Sequence, residues 1–213
     1  MTTFKIFSDP FPYVDAIHQM EYHVDDMIDQ NEGPEVWLLE HPPIYTMGTS
    51  ANFSDIKNHQ LPYYQTGRGG QVTYHGPGQR IAYIMLDLKE LKSGNQDLRH
   101  YVWSLEEWLI LTLQDLGVTG VRRPGRIGIW ICKEGEIEKK IAAIGIRIKK
   151  WVTFHGVSLN INPDLTAYDD IVPCGLSEYG VTSLADQGIK VETEIVDAYL
   201  IKNFKKIFNL IQH

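Results

Sequence analysis

Cysteine is scarce in this chain: Cys132 and Cys174 are the only two among 213 residues. Two thiols so far apart make no disulfide framework. The opening Met1-Thr2-Thr3-Phe4-Lys5 lacks a signal-peptide layout, so reduced thiols in a cytoplasmic protein are expected. No run approaches the ~20 apolar residues of a membrane span. Positive charge is in deficit, with 20 Lys and Arg against 27 Asp and Glu and a net charge of −7. That argues against a nucleic-acid binder, which carries a basic footprint. Several catalytic signatures are missing as well. No Lys-Ser/Thr follows the last glycine of a Gly-rich stretch, which excludes a P-loop. Gly125-Arg-Ile-Gly128 is too short for a dinucleotide fingerprint. The eight histidines include no His-Glu-x-x-His, and there is no Cys-x-x-Cys, so no metal is expected. A Gly-x-Ser-x-Gly elbow is absent too.

Repeats, linkers and low-complexity segments are also lacking. With 43% apolar and 22% charged residues, the composition is that of an ordinary globular protein. One domain over 1–213 is expected, burying roughly 70% of its unfolded surface.

Glycine is abundant in one place. Residues 67–79 read Gly-Arg-Gly-Gly-Gln-Val-Thr-Tyr-His-Gly-Pro-Gly-Gln, with five glycines in thirteen positions. A plain turn needs one or two. Glycine permits positive φ and close approach to the backbone, and the stretch also carries Arg68, Gln71, Thr73 and His75. Donors on an open backbone suit a ligand site; a Gly-rich hairpin with incidental polar residues is the competing reading.

Around this stretch, strands and helices are interspersed. Phe4–Phe7 reads as a strand, and Pro10 and Pro12 start a helix with Ile17, Met20, Val24, Met27 and Ile28 on its apolar stripe. His18 and His23 of that helix are expected to face solvent. Glu35–Glu40 is a buried strand, and residues 41–48 are a rigid, partly extended loop whose Ile44, Tyr45 and Met47 either line a pocket or pack. Tyr63–Thr66 and Ile81–Leu88 are strands on either side of the glycine stretch. Leu98–Leu116 is the clearest helix, with Asp97 as N-cap and Gly117 as its stop. Strands follow at Ile127–Cys132, Ile141–Ile148 and Trp151–Asn162, and Glu192–Ile211 is a closing helix. Strict alternation in the last strand puts His155 on the face of Thr153, Val157 and Leu159, as a core histidine, with Gly156 and Ser158 on the other. The pattern predicts a mixed α/β (α+β) architecture, a β-sheet flanked by helices.

The remaining chemistry centres on thiols. Cys132 ends a strand without an activating neighbour in sequence and reads as structural. Cys174 lies between Pro173 and Gly175, on a turn that favours an exposed thiol. A thiolate is the nucleophile and a cationic neighbour favours it. His75, His155 and Lys140 are all candidates, and spacing does not choose among them. Two basic clusters, Arg122/Arg123/Arg126 and Lys139/Lys140/Arg147/Lys149/Lys150, offer a surface to an acidic partner.

Taken together, four blocks resemble the octanoyltransferase (lipoyl(octanoyl) transferase) family of lipoate biosynthesis. They are Arg68-Gly-Gly-Gln-Val-Thr-Tyr-His75-Gly-Pro-Gly-Gln79, Lys140-Ile-Ala-Ala-Ile-Gly-Ile-Arg147, Thr153-Phe-His-Gly-Val-Ser-Leu-Asn160 and Pro173-Cys-Gly175. The likeness runs from about Trp37 to Thr182; it departs at Ile127, where the family carries a small residue or proline before Gly128. The resemblance implies a biotin/lipoate ligase-like catalytic domain and an acyltransferase without a cofactor. It moves an octanoyl group from octanoyl-acyl carrier protein to a lysine of lipoyl domains, in 2-oxoacid dehydrogenase E2 subunits and the glycine cleavage H protein. It also implies a monomer without membrane or nucleic-acid partners. By the same resemblance Cys174 is the acyl-carrying nucleophile and Lys140 its acid–base partner. Substrate contacts map to Arg68, Gly69, Gly70, Gln71, Val72, Thr73, Tyr74 and His75, to Ala143, Ile144 and Gly145, and to Gly156, Val157 and Ser158. Tyr74 and the strand near Ile144 are expected to wall the acyl slot, and docking of an acidic carrier protein is expected to weaken with salt. The alternative within this fold is an ATP-dependent lipoate-protein ligase, which would not need Cys174.

Overall fold

The computed structural model describes residues 2–90, 97–171 and 179–211. The nucleophile block at 173–175, with Cys174, lies outside the described residues.

Strands β1 (Thr3–Ile6), β2 (Glu35–Leu39), β6 (Gln79–Met85), β10 (Val152–Asn160), β9 (Lys139–Lys149), β8 (Arg126–Ile131) and β7 (Val121–Arg123) lie side by side in that order, and β11 (Gly180–Val181) pairs with β9. The β1–β2 and β9–β11 pairs are parallel and the others antiparallel, so the sheet is mixed. Helix α1 (Tyr13–Ile28) covers one face, and α2 (Leu98–Asp115) and α3 (Thr193–Ile211) cover the other.

Side-chain alternation explains the two layers. Along β2, Val36 and Leu38 join Leu105, Trp108, Leu200 and Phe204 of α2 and α3, while Trp37 and Leu39 join Ala16, Ile17, Met20 and Val24 of α1. A strand apolar on both faces needs cover on both sides. Asp97 caps α2 as expected, its carboxylate accepting from the Arg99 and His100 amides. Trp108 Nε1 donates to the Leu200 carbonyl at 2.7 Å, tying α2 to α3. Arg80 of β6 grips Asp197 of α3 through Nε–Oδ1 at 2.7 Å and Nη2–Oδ2 at 2.6 Å, inside the protein. Among the described residues no helix is long and apolar enough to cross a membrane.

Three expectations change. Residues 44–47, read as loop, form β3 (Ile44–Met47), which pairs with β4 (Tyr63–Gln65) and β5 (Val72–His75) in a second, three-stranded sheet. Partner strands distant in sequence supply its hydrogen bonds, so no local signal marked it; Tyr45 and Met47 pack into that sheet's own core. The two-residue β11 was too short to show a period. His23, expected in solvent, is 7% exposed: its Nε2 meets the Gly33 carbonyl at 3.0 Å and lies 3.8 Å from Glu35.

Candidate active-site pocket

Where the glycine stretch crosses β9 and β10, a cavity of about 420 Å³ opens. Its wall collects Arg68, Gly69, Gly70, Gln71, Thr73 and His75, then Lys140, Ala143, Ile144 and Gly145, then Gly156, Val157 and Ser158. Of the sixteen site residues expected from the sequence, thirteen line this wall, Val72 and Tyr74 turn away from the cavity, and Cys174 lies outside the described residues. Val72 and Tyr74 alternate with Thr73 and His75 along β5, so they enter the core of the small sheet with Tyr45, Met47 and Ile56. Tyr74 therefore does not wall the slot.

The glycines let the loop lie flat on the sheet. Gly69 N–H donates to the Ile146 carbonyl at 3.0 Å. A Cβ on Gly145 would stand 3.1 Å from Arg68 Cδ and 3.2 Å from the Gly69 oxygen, pushing the loop off β9. Gly70 takes φ +91°, which glycine tolerates without strain. Arg68 locks the loop: Nη2 donates to the Thr46 carbonyl (2.7 Å), Thr46 Oγ1 (2.8 Å) and the Gln71 carbonyl (2.9 Å), and Nη1 to the Gly69 carbonyl (3.0 Å).

The rim is exposed at Ser50, Gly125 and Ile127, and the floor is buried at Tyr13, Ile81, Tyr83 and His155. Lys140 lies partly exposed on the wall, its amine 4.9 Å from the Trp130 ring centroid, a cation–π distance. Among the described residues Lys140 has no carboxylate partner. The neighbouring basic residues do: Arg122 meets Glu106 and Glu107, Arg123 and Arg126 share Glu138, and Lys149 meets Asp25. The basic clusters are thus largely neutralised where they stand. Cys132 is exposed, accepts from Arg123 Nη2 at 2.8 Å and donates to Glu138 at 3.1 Å. Burial and Glu138 push its thiol up from the usual range, which disfavours a nucleophilic role.

Residues 12–205 match the family model described as the lipoyl protein ligase A/B catalytic domain. The chain is 50% identical over 204 residues to an octanoyltransferase of Nitrobacter winogradskyi, covering 93% of this chain and 87% of the relative. It is 52% identical over 206 residues to an octanoyltransferase of Paramagnetospirillum magneticum, covering 96% and 95%. This chain belongs to the octanoyltransferase family. Solved structures agree on the fold. A bipartite lipoate protein ligase from Thermoplasma acidophilum superposes with a TM-score of 0.71 at 17% identity, over 98% of this chain and 85% of that one. A biotin protein ligase from Aquifex aeolicus gives 0.58 at 12%, over 100% and 71%. The biotin/lipoate ligase-like architecture implied by the motifs is the one found.

The floor histidines differ in one respect. His75 donates Nδ1–H to Gln79 Oε1 (2.7 Å), and its Nε2 accepts from the Thr46 hydroxyl (3.2 Å). His41 donates Nδ1–H to the Phe11 carbonyl (2.6 Å) and accepts from the Tyr83 hydroxyl (2.7 Å). Among the described residues, His155 Nε2 is buried without a hydrogen-bond partner. Its position corrects the alternation reading. Thr153 and Val157 face α2 and α3 as expected, but His155 takes φ +59° and swings to the opposite side of the sheet. There it stacks on its own neighbour Phe154 at 5.2 Å and meets the edge of Tyr83 at 6.1 Å. The left-handed backbone costs about 1–2 kcal/mol and the unpaired nitrogen about 1–3 kcal/mol. No periodicity in the sequence signals a single left-handed residue.

All three rings are held neutral. Burial, then the Arg68 and Arg147 charges, push His155 down to about 3. Burial pushes His41 to about 4, against the Phe11 hydrogen bond. Burial, with His41 and Arg68, holds His75 well below the usual range. An unfolded histidine protonates near about 6.5. Between there and about 3 the unfolded chain therefore binds more protons, and stability falls as pH falls through that window. The urea midpoint is expected to drop between pH 7 and pH 5, before most carboxylates titrate, and to drop less in His155→Gly. A midpoint flat over that range would contradict the neutral cluster.

Proposed function

We propose that the chain transfers an octanoyl group from the phosphopantetheine thioester of acyl carrier protein to a lysine of lipoyl domains, by way of a thioester on Cys174. The E2 subunits of 2-oxoacid dehydrogenases and the glycine cleavage H protein are the proposed acceptors, and the cytoplasm the proposed compartment. The observation that carries this reading is the convergence of three separate sequence blocks on one cavity with the Lys140 amine in its wall.

The chemistry divides into two steps. Lys140 as ammonium favours the Cys174 thiolate, whose free pKa is about 8.5. The thiolate adds to the donor carbonyl, the pantetheine sulfur leaves, and Lys140 supplies the proton that makes it a thiol. The acceptor amine then adds to the acyl-cysteine, the neutral Lys140 amine takes the proton, and the Cys174 thiolate leaves. Splitting the transfer through a covalent intermediate replaces one difficult step with two easier ones. Thioester to thioester is nearly neutral and thioester to amide runs downhill, so nucleotide activation is not required. Backbone amides of the glycine stretch are the proposed donors to the developing oxyanion. Arg68 and the Gly69–Ile146 hydrogen bond keep that backbone fixed.

Incubation with octanoyl-acyl carrier protein and no nucleotide is expected to add one octanoyl group to the intact protein by mass. Cys174→Ser should lose the adduct. Turnover that appears only with ATP and magnesium would instead favour the adenylating ligase reading. Kinship weighs against that reading, since the octanoyltransferase relatives stand near 50% identity and the superposed ligases at 17% and below.

A further inference from the structure

We infer that Trp103 and Ile127, exposed beside the mouth of the cavity, form the surface on which the lysine-bearing acceptor domain docks, and that the surface serves the acceptor and not the donor. This rests on the transfer reading above.

Reach chooses the occupant. The Lys140 side chain runs past the β8 backbone: a Cβ on Gly128 would stand 3.4 Å from Lys140 Cε and 3.5 Å from Cδ. Ile127 is the neighbour of Gly128, so its Cα lies within about 10 Å of the amine, consecutive Cα atoms being ~3.8 Å apart. An acceptor lysine spans only about 6 Å from Cα to Nζ along its four-carbon stem. Its domain must therefore bring backbone close to any thioester that the Lys140 amine serves, and the rim is pressed against it. The phosphopantetheine arm of the donor, from serine Cα to sulfur, spans roughly 20 Å by the same bond lengths. A carrier protein on that tether delivers the acyl group without resting on the rim.

The surface is continuous with the cavity. Val102 of α2 lines the wall together with Gly125 and Ile127. The next residue, Trp103, is tied to β7, since Arg122 Nη2 donates to its carbonyl at 3.0 Å. Glu106, one turn on, accepts from the Gly128 amide at 3.3 Å. Trp103 is 46% exposed and Ile127 56%. The indole is nonetheless held in place. His100 stacks on it at 5.9 Å, and the Arg122 guanidinium lies 4.7 Å from its centroid. A ring ordered beforehand spares part of the cost of binding, and tryptophan is among the residues that dominate interface energies.

Charge agrees with reach. The three arginines of this edge are paired, Arg122 with Glu106 and Glu107, Arg123 and Arg126 with Glu138. The surface thus offers apolar contact with little excess positive charge, and little long-range attraction for a strongly acidic carrier.

The test reads the two half-reactions separately, with octanoyl-acyl carrier protein as donor and the lipoyl domain of an E2 subunit as acceptor. Trp103→Asp is expected to raise the KM for the lipoyl domain by about tenfold or more, with kcat at saturating acceptor near normal. Adduct formation from octanoyl-acyl carrier protein should keep its wild-type rate in this variant. So should release of the adduct by hydroxylamine, a small amine that needs no docking surface and leaves octanoyl hydroxamate and the free thiol. Ile127→Asp should raise the same KM, and carries the test if Trp103→Asp is unstable. An unchanged acceptor KM in the folded variants would overturn the inference. Adduct formation slowed as much as transfer would overturn it too, because the surface would then receive the donor. Equal slowing of the hydroxylamine reaction would do the same, since the chemistry and not docking would have been damaged. A wild-type protein that forms no adduct is a different result, and defeats the transfer reading itself.

Discussion

Lys140→Ala is expected to slow octanoyl transfer by roughly 10²–10⁴-fold, the range over which a positioned acid–base group acts. Both halves of the reaction use the same amine, first as the cation that favours the thiolate and then as the base that accepts a proton. Lys140→Arg separates the two roles. Arginine keeps the charge but stays protonated, so the octanoyl adduct should still form while its transfer to a lipoyl domain stalls. Single-turnover mass measurements of adduct formation and decay read the two steps apart. Lys140→Met keeps the methylene contact with Trp130 and controls for packing, since the amine lies 4.9 Å from that ring. Near-normal turnover in Lys140→Ala would remove the amine from the mechanism.

Asp197→Ala should produce the largest loss of stability, about 3–5 kcal/mol. Arg80 and Asp197 are 3% and 4% exposed and meet through two hydrogen bonds. Burial holds the Asp197 carboxyl above the usual range, against the lowering by Arg80. Desolvation is thus not fully offset by the attraction, and the pair itself adds little net stability. Breaking it is different, because the Arg80 guanidinium is left inside without its counter-charge. The expected fall in melting temperature is roughly 6–20 °C, at ~2–4 °C per kcal/mol for a chain of this length. Arg80→Met combined with Asp197→Leu should recover most of the loss. A single-variant loss below about 1 kcal/mol would mean that water reaches the arginine in the folded state.

The reach of the site through the fold bears on both results. Lys140 belongs to β9, next to β10, and β10 pairs with β6, which carries Arg80. Loosening α3 from β6 is therefore expected to lower activity only as far as it lowers the folded fraction, because no described side chain of α3 lines the cavity wall.

Much was legible beforehand because it is local. The three helices were readable from apolar spacing and caps, with Asp97 accepting from two amides of the first turn. The glycine stretch announced itself by composition, and the motifs identified the family and its architecture. The small sheet was not legible, because β3 owes its strand form to β4 and β5, whose pairing no segment encodes alone. Nor was the neutralisation of the basic clusters, which takes glutamates brought from other elements.

The linear order of residues thus determined which groups are available: the Gly-Arg-Gly-Gly run, an amine at Lys140 and a thiol at Cys174. Folding alone decided which of them share a wall. Alternation in β5 sends Thr73 and His75 to the cavity and Val72 and Tyr74 away from it. One left-handed residue carries His155 across the sheet against the period of its own strand. A two-residue repeat is a property of neighbours along the chain, whereas the choice of face and the departure from it are settled by what packs on either side.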